Sequence, residues 1–202
     1  MDTDGNDGVR GVESHPARLD LVMDANNHAV FKALCHYFTR SDKFCSAGEG
    51  FSLNKGIMLC GPVGTGKTTI MELFQANHYR SYRVVSCRTI ADAFKTDGEY
   101  ALHIFSRPFP APSHASTFFH DTLGLCLDDL STEGIKRNFG DQVNTIAEII
   151  LNRYDKKLPH YLTHLTTNLT AGEIEQCYSE RARSRMREMF NMLILGGGDR
   201  RK

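Results

Sequence analysis

The sequence lacks a net charge, a long hydrophobic run and closely spaced cysteines. Lysine plus arginine number 24, and aspartate plus glutamate also number 24, so no overall field attracts nucleic acid or an anionic membrane. No stretch approaches the about 18 apolar residues that a membrane-spanning helix needs. The six cysteines stand far apart, which excludes paired zinc-binding spacing and a dense disulfide framework, and we expect them to be reduced core residues.

The amino-terminal region lacks the basic and apolar parts of a secretory signal, because residues 1–11 are acidic and rich in glycine. We therefore expect a cytoplasmic protein. Residues 1–18 show little periodic apolar content and are predicted to be a disordered leader. Residues 19–50 are predicted to form a short helical appendage, and residues 51–202 one core domain. The apolar stripe expected to pack on the domain or on a partner comprises Val22, Ala25, Ala29, Ala33 and Tyr37, with Leu34 and Phe38 beside them.

Beyond Lys55, short β-rich runs alternate with segments of helical periodicity. The runs are almost continuously apolar, which is typical of strands covered on both faces. The five predicted strands are residues 56–60, 83–87, 123–127, 161–167 and 192–195. Helices are predicted over 68–77 and 141–158, the second capped by Asp141, and residues 106–121 are predicted to be a loop. This alternation predicts a three-layer α/β/α fold with a parallel sheet between helices.

A phosphate-binding loop is predicted at residues 61–68, which match G-x-x-x-x-G-K-[ST] between a predicted strand and a predicted helix. Its glycines allow the backbone to wrap around phosphate oxygens at the positive end of a helix. The predicted nucleotide-binding residues are Gly61, Pro62, Val63, Gly64, Thr65, Gly66, Lys67, Thr68 and Thr69. Lys67 supplies charge to the outer phosphates, Thr68 offers a hydroxyl to magnesium, and Thr69 reaches an inner phosphate. The sequence therefore predicts binding of ATP or ADP with Mg²⁺.

An acid pair, Asp128 and Asp129, offers the two groups that hydrolysis needs besides the loop: a second magnesium anchor and a group that orients water. An apolar strand precedes the pair, so both acids are expected at the carboxyl edge of the sheet, beside the phosphate loop. We assign Asp128 to magnesium through water and Asp129 to the water-polarising base. The alternative is an ordinary strand end with solvated acids.

Asn168 follows the predicted strand 161–167 and is expected at the same edge. Its amide is suited to hold the attacking water or the terminal phosphate. A turn or helix-capping asparagine is the alternative.

Residues 178–189 are predicted to form a helix rich in arginine. Arg181 and Arg185 flank one side of its apolar stripe, and Arg183 and Arg187 flank the other. Arginine suits a phosphoryl transition state because its planar fork spreads charge over several oxygens, from the same chain or from a neighbour. One pair is therefore a candidate to serve a nucleotide across a subunit boundary. A solvated or salt-bridged helix face is the alternative.

These motifs together resemble the DnaC-like helicase loaders and the related IstB-like transposition helpers, both AAA+ ATPases. The resemblance covers about residues 55–202 and depends on the co-occurrence, in order, of the phosphate loop, Leu-Asp-Asp-Leu, Thr-Thr-Asn-Leu and Arg-x-x-x-Arg-Met. It implies a five-stranded sheet of order 5-1-4-3-2. It also implies that Asn168 is the first sensor and that Arg185 is an arginine finger reaching a neighbouring subunit's ATP, with Arg181 one turn earlier on the same face.

The resemblance further implies a homo-oligomer that hydrolyses ATP and partners single-stranded DNA and a replicative helicase, or alternatively a transposase, with no membrane contact. The amino-terminal helicase-binding region of longer loaders is expected to be reduced or replaced by residues 19–40. No separate helical lid is expected, and Arg200 or Arg201 is a candidate second sensor. Candidate DNA contacts are Lys136, Arg137 and Phe139, together with the basic end of the chain, residues 181–202.

Two other classes of function use the same loop. A small-molecule kinase needs an acceptor pocket and usually a mobile lid. The arginines of residues 178–186 do not lie in the sequence context expected for such a lid. A nucleotide switch that does not hydrolyse ATP is compatible with Asp129, since aspartate is shorter than the glutamate common in other AAA+ proteins.

Overall fold

The computed structural model describes residues 22–111, 122–131, 136–138 and 141–201, so the predicted leader at residues 1–18 and much of the predicted loop at 106–121 lie outside the described residues. Six α-helices are described: α1 (His28–Phe38), α2 (Lys67–Phe74), α3 (Cys87–Asp97), α4 (Glu99–Phe105), α5 (Thr145–Asp155) and α6 (Ala171–Met189). Two short 3₁₀ helices cover Asp42–Ala47 and His160–Leu162. The strands are β1 (Gly56–Cys60), β2 (Tyr82–Ser86), β3 (Phe109–Pro110), β4 (Thr122–Leu130), β5 (Lys136–Asn138), β6 (Asp141–Val143), β7 (Thr163–Thr167) and β8 (Phe190–Ile194).

The main sheet contains five parallel strands in the order β2-β4-β7-β1-β8, which is the predicted order 5-1-4-3-2 read from the other edge. The short β3 pairs with β4 in antiparallel fashion and brings the sheet to six strands. A separate hairpin joins β5 to β6. The predicted α/β/α class is confirmed.

Helices cover both faces of this sheet. On one face, α3, α5 and α6 pack on apolar side chains of β1, β4 and β7, such as Met58, Leu125 and Leu165. On the other face, α1 and α2 pack on Ile57, Leu59 and neighbouring residues. Because both faces are buried, the strands need apolar side chains at successive positions, which explains their continuous apolar character.

Helix α1 packs on the sheet with a face that differs from the predicted stripe. Its buried residues are Val30, Ala33, Leu34, Tyr37 and Phe38. Ala33 and Tyr37 of the predicted stripe are buried, as are Leu34 and Phe38 beside it. Val22, Ala25 and Ala29 are exposed. The prediction was wrong for Val22 and Ala25 because the helix begins only at His28, and for Ala29 because the buried face of the helix includes Val30 instead.

The starts of α5 and α6 also differ from prediction. Asp141 belongs to β6 and does not cap α5; Asn144 does so by accepting a hydrogen bond from the Ala147 N–H at 3.1 Å. Helix α6 begins earlier than predicted, because Thr170 and Glu173 form a capping box. A break at Ser179 (φ 79°) divides α6, and the predicted helix 178–189 corresponds to its second half.

The six cysteines are all free, but the expectation of core residues holds for only some of them. Cys87 and Cys126 are buried, Cys35 and Cys60 are half-buried, and Cys45 and Cys177 are exposed. Within the described part of the chain, no helix is long and apolar enough to cross a membrane.

Candidate functional site

The phosphate loop connects β1 to α2, as its flanking sequence predicts. Gly64 (φ 79°) and Gly66 (φ 92°) adopt the left-handed conformation that favours glycine, and α2 begins at Lys67. The Thr65 hydroxyl donates to the Pro62 carbonyl at 2.9 Å. These contacts form a compact turn at the amino end of a helix, the geometry that suits a phosphate group.

Lys67 lies inside this turn and is only 6% exposed. Its Nζ donates to the carbonyl oxygens of Gly61 at 2.8 Å and Pro62 at 2.9 Å. Burial lowers the pKa of Lys67, an effect that the nearby carboxylates of Asp129 and Asp128 oppose. The ammonium group is thus positioned between the loop and the acid pair.

Asp128 connects the phosphate loop to β4, the strand that carries the acid pair and is called the acid strand below. Its carboxylate accepts a hydrogen bond from the Thr68 hydroxyl at 3.0 Å, and the Thr166 hydroxyl of β7 donates to its Oδ1 at 2.7 Å. Burial raises the pKa of Asp128, while the bonds from Thr166 and Thr68 lower it. The hydroxyl of Thr68 and the carboxylate of Asp128 are oxygen ligands of the kind that magnesium prefers, so these residues fit an Mg²⁺ ion held partly through water.

Asp129 also faces the site, although successive residues of a strand normally point to opposite faces. The pairing of β4 with β7 shifts register between Leu127 and Leu130, and Asp129 lies inside this bulge with φ 60°. Its backbone N–H donates to the Thr166 hydroxyl at 2.8 Å. The bulge therefore explains how two consecutive acids lie together at the carboxyl edge.

Thr166 is a site residue that the sequence analysis missed. Its buried hydroxyl accepts from the N–H of Asp129 and donates to the carboxylate of Asp128, so one side chain holds both acids. A threonine in a strand is no signal by itself. The predicted strand order contained the clue, since it places β7 next to the acid strand.

Asn168 follows β7 at the same edge of the sheet and is exposed. Its Oδ1 lies 3.5 Å from the hydroxyl of Ser131, which follows the acid strand. The structure therefore brings the predicted sensor to the edge that carries the acid pair.

A cleft of about 550 Å³ opens above these groups. It is lined by Val22, Val63, Gly64, Gly66, Lys67, Thr68, Thr69, Asp129, Arg200 and Arg201. The two ends of the described chain meet here: the Arg200 N–H donates to the Gly64 carbonyl at 2.9 Å, and its guanidinium pairs with Asp24 at 2.7 Å. A side chain at Gly64 would collide with the Asp199 carboxylate. Val22 near one end of the described chain and Arg200 and Arg201 at the other therefore form part of the cleft wall.

The arginines of α6 lie away from this cleft. Helix α6 ends immediately before β8, whose first residue Phe190 pairs with Gly56 at the start of β1, whereas the phosphate loop follows the end of β1. Arg181 pairs with Asp155, Arg183 with Glu175 and Arg185 with Glu188. Arg185 thus lies near the opposite end of the sheet from its own chain's phosphate loop.

Comparison with known proteins identifies one curated relative and several structures of similar fold. No protein-family model matches the sequence. The uncharacterized AAA family ATPase y4kL of Sinorhizobium fredii (strain NBRC 101917 / NGR234) is 29% identical over 172 residues, which cover 82% of this chain and 49% of that protein. The chain therefore spans about half the length of this curated relative.

Three solved structures are similar in fold. A candidate primosome component from Streptococcus pyogenes serotype M3 has a TM-score of 0.58 at 18% identity, with 90% of this chain and 85% of that chain covered. The DnaC helicase loader has a TM-score of 0.52 at 18% identity, with 88% of this chain and 95% of that chain covered. A DNA replication initiation factor has a TM-score of 0.53 at 16% identity, with 87% of this chain and 48% of that chain covered. The chain therefore shares its three-layer fold with these structures, among them the DnaC helicase loader.

Proposed function

We propose that the chain binds ATP with Mg²⁺ in the cleft and hydrolyses it in an assembly whose neighbouring subunits complete each site. The observation that carries this proposal is the continuous set of contacts from Thr68 through Asp128 to Thr166. It joins the phosphate loop, the acid strand and the next strand at one edge, where a phosphate-binding surface and a metal-binding carboxylate are both needed.

Each residue at the edge has a distinct role in this proposal. The residues of the loop and Thr69 bind the phosphates, with Lys67 supplying charge, while Thr68 and Asp128 hold Mg²⁺. The bound ion supplies Lewis-acid stabilisation of the charge that develops on the phosphate oxygens. Asp129 orients and polarises the attacking water, and Asn168 holds that water or the terminal phosphate.

Arg185 serves the nucleotide of a neighbouring subunit. Its position near the amino ends of β1 and β8 supports a role in trans, because the phosphate loop of its own chain lies at the carboxyl end of β1. A head-to-tail assembly brings such a face against the cleft of the next copy. ATP hydrolysis would then depend on assembly of the subunits as well as on ATP binding.

The expected partners are a replicative helicase and single-stranded DNA. This part of the proposal draws on the fold similarity to the DnaC helicase loader, and a transposase is the alternative partner. Lys136 and Arg137 lie on β5 of the hairpin, whereas Phe139 lies outside the described residues. Affinity capture from the native cell with Asp129→Ala and ATP tests this: retention of a helicase supports loading, and retention of a transposase contradicts it.

Two substitutions test the nucleotide chemistry. Lys67→Ala should lose ATP affinity itself, because the phosphate charge loses its main partner. Asp129→Ala should bind ATP as the unaltered protein does and release phosphate at a much lower rate, since it removes only the water-polarising group. The measurements are equilibrium ATP binding and phosphate release, with Asp155→Ala as a surface control.

Three results would contradict the proposal. An unchanged rate in Asp129→Ala removes this residue from the mechanism. Phosphorylation of nucleosides or nucleotides faster than ATP hydrolysis would favour a kinase. ATP binding with no phosphate release at any protein concentration, with or without single-stranded DNA, would favour a nucleotide switch.

A further inference from the structure

Arg185 is held by two side chains that the site described above does not include. Its Nη1 donates to the hydroxyl of Tyr154 at 3.2 Å and to Oε1 of Glu188 at 3.1 Å. The Tyr154 hydroxyl donates to Oε2 of the same carboxylate at 2.5 Å. The carbon of the guanidinium lies 4.3 Å from the centroid of the Tyr154 ring. Three side chains thus form a closed set of mutual contacts.

This arrangement differs from an ordinary surface ion pair. The neighbouring pair of Arg181 with Asp155 is a single contact of 3.3 Å between side chains that are 64% and 53% exposed. The Arg185 side chain is 34% exposed. Its guanidinium contacts the Tyr154 ring through its flat face and the Glu188 carboxylate through its edge. A guanidinium that stacks on a ring and bonds to a carboxylate loses more rotational freedom than one in a solvated pair.

The two partners of Arg185 also bind each other. The bond from Tyr154 lowers the pKa of Glu188, and the bond to Glu188 raises the pKa of Tyr154. These shifts favour the carboxylate form of Glu188 and the hydroxyl form of Tyr154, which is the combination that Arg185 requires. Tyr154 is in the last turn of α5 and Glu188 in the last turn of α6, so the set also joins two helix ends.

The contacts leave part of the guanidinium for another anion. Among the described residues, both of its hydrogen bonds run through Nη1, Nε is buried without a partner, and one face of the group covers the tyrosine ring, which leaves Nη2 for another anion. A planar fork held at one nitrogen keeps a defined direction for the other. Nη2 is thus the nitrogen that remains for a ligand from outside the chain, on a side chain that is 34% exposed.

We infer that Tyr154 and Glu188 are positioning residues for Arg185, which hold its guanidinium ready for the terminal phosphate of ATP bound to a neighbouring copy of this chain. The inference rests on the proposed function, because it assumes that Arg185 acts in trans. Neither residue touches the nucleotide. Their effect is on turnover, through the alignment of the charge that Arg185 delivers.

The experiment uses Glu188→Gln, which removes the charge at constant shape, and Tyr154→Phe, which keeps the ring and removes the hydroxyl. Each should lower ATP turnover at saturating ATP by roughly tenfold, well short of the roughly 10³-fold loss expected for Arg185→Ala. Affinity for ATP should stay unchanged, since each subunit keeps its own phosphate loop. Asp155→Asn is the matched control, because it breaks the Arg181 pair between the same two helices.

Mixed assemblies separate positioning from a general loss of structure. Glu188→Gln mixed with Lys67→Ala should regain turnover, because Lys67→Ala subunits supply an intact finger to intact phosphate loops. Glu188→Gln mixed with Arg185→Ala should gain nothing, because both lack a competent finger. A misfolded variant would instead lose ATP affinity and would not show this dependence on the partner.

The possible failures are distinguishable. If Glu188→Gln and Tyr154→Phe turn over ATP at the normal rate or faster while Arg185→Ala is impaired, the positioning role is wrong and the trans role stands. If Arg185→Ala itself turns over ATP normally, the trans role in the proposed function is wrong. If ATP turnover falls as far in Asp155→Asn as in Glu188→Gln, the loss is a general effect of disturbing the ends of α5 and α6. This result also overturns the inference.

Discussion

At the residue scale, one buried threonine organises the acid pair. Thr166 bonds to the carboxylate of Asp128 and to the backbone of Asp129, so it holds the proposed magnesium ligand and the proposed base in a common frame. A hydroxyl is the smallest side-chain group that both donates and accepts. Its removal should therefore affect both acids at once.

Replacing Thr166 with valine should destabilise the protein by about 1–3 kcal/mol, because the N–H of Asp129 loses its buried acceptor and Asp128 loses a donor. ATP turnover should fall with it. Urea unfolding and phosphate release measure the two effects. Thr167→Val is the control: this hydroxyl is also buried on β7, but among the residues that the structure describes it accepts only the Leu169 N–H, so turnover should be kept. Equal turnover in the two variants would show that Thr166 does not organise the acids.

His164 is a buried residue whose protonation is linked to folding. It lies in β7, accepts the Ile57 N–H on Nδ1 at 3.0 Å, and is surrounded by the rings of Tyr37, Phe38 and Tyr82. Burial lowers its pKa from 6.5 to about 3, aided by the charges of Arg80 and Arg153. The unfolded chain therefore binds one more proton than the folded chain between these pH values.

Stability should consequently fall as the pH is lowered below 6.5. His164 contributes a slope of up to about 1.4 kcal/mol per pH unit towards pH 3 and none above pH 7. In His164→Asn, where the amide oxygen replaces Nδ1 as acceptor, this contribution should disappear. Asp128, whose raised pKa has the opposite effect on the slope, contributes to both proteins and cancels in the comparison. Urea unfolding at pH 7.5 and 5 tests this, with exposed His28→Asn as control; parallel pH profiles for wild type and His164→Asn would contradict it.

The sequence identified the candidate site residues better than it revealed how their side chains are held. Lys67, Thr68 and Asp128 were predictable because the loop pattern and a strand end determine their positions. The bulge at Asp129 was not, because it depends on pairing with β7 and leaves no local pattern. Tyr154 and Glu188 were equally hidden, since they meet only when α5 and α6 pack together.

At the element scale, helix α6 is two helices joined at Ser179. This residue has φ 79° and ψ 157°, a region populated almost only by glycine. Its hydroxyl accepts the Ala182 N–H at 3.4 Å, as a cap for the second half. Asn144 supports the first half by donating to the Cys177 carbonyl at 2.8 Å. The break sets the direction of the segment that carries the arginines.

Ser179→Gly should therefore stabilise the protein by about 1 kcal/mol, because it relieves the backbone strain and loses only a weak cap. The same substitution at exposed Ser184, inside the second half, should destabilise by about 0.5 kcal/mol through lower helix propensity. Thermal or urea unfolding compares the two. A loss of stability in both variants would show that Ser179 is not strained.

Elements were predictable where one physical cause dominates. The bounds of β1 follow prediction because an apolar run ends at a glycine-rich loop. For α1 and α5 several starts fit the pattern, and tertiary contacts decide between them: the stripe from Val22 to Ala29 proved exposed, and Asp141 pairs in a hairpin. The early start of α6 was readable from Thr170 and Glu173, a capping box that the apolar stripe obscured.

At the scale of the whole molecule, the proposed catalytic groups are divided between two ends of one sheet. The phosphate loop, the acid pair and Asn168 lie at the carboxyl edge, while Arg185 and its two supporting side chains lie near the amino ends of β1 and β8. The length of β1 lies between the end of α6 that carries Arg185 and the phosphate loop of the same chain. The division itself predicts that turnover depends on assembly.

The most direct test is ATP turnover per chain measured over a wide range of protein concentration, for the unaltered protein and for Arg185→Ala. Turnover per chain should rise with concentration as copies assemble and then reach a plateau, whereas Arg185→Ala should remain low throughout although it binds ATP equally well. Turnover per chain that is independent of concentration, and equal in the two proteins, would contradict the account.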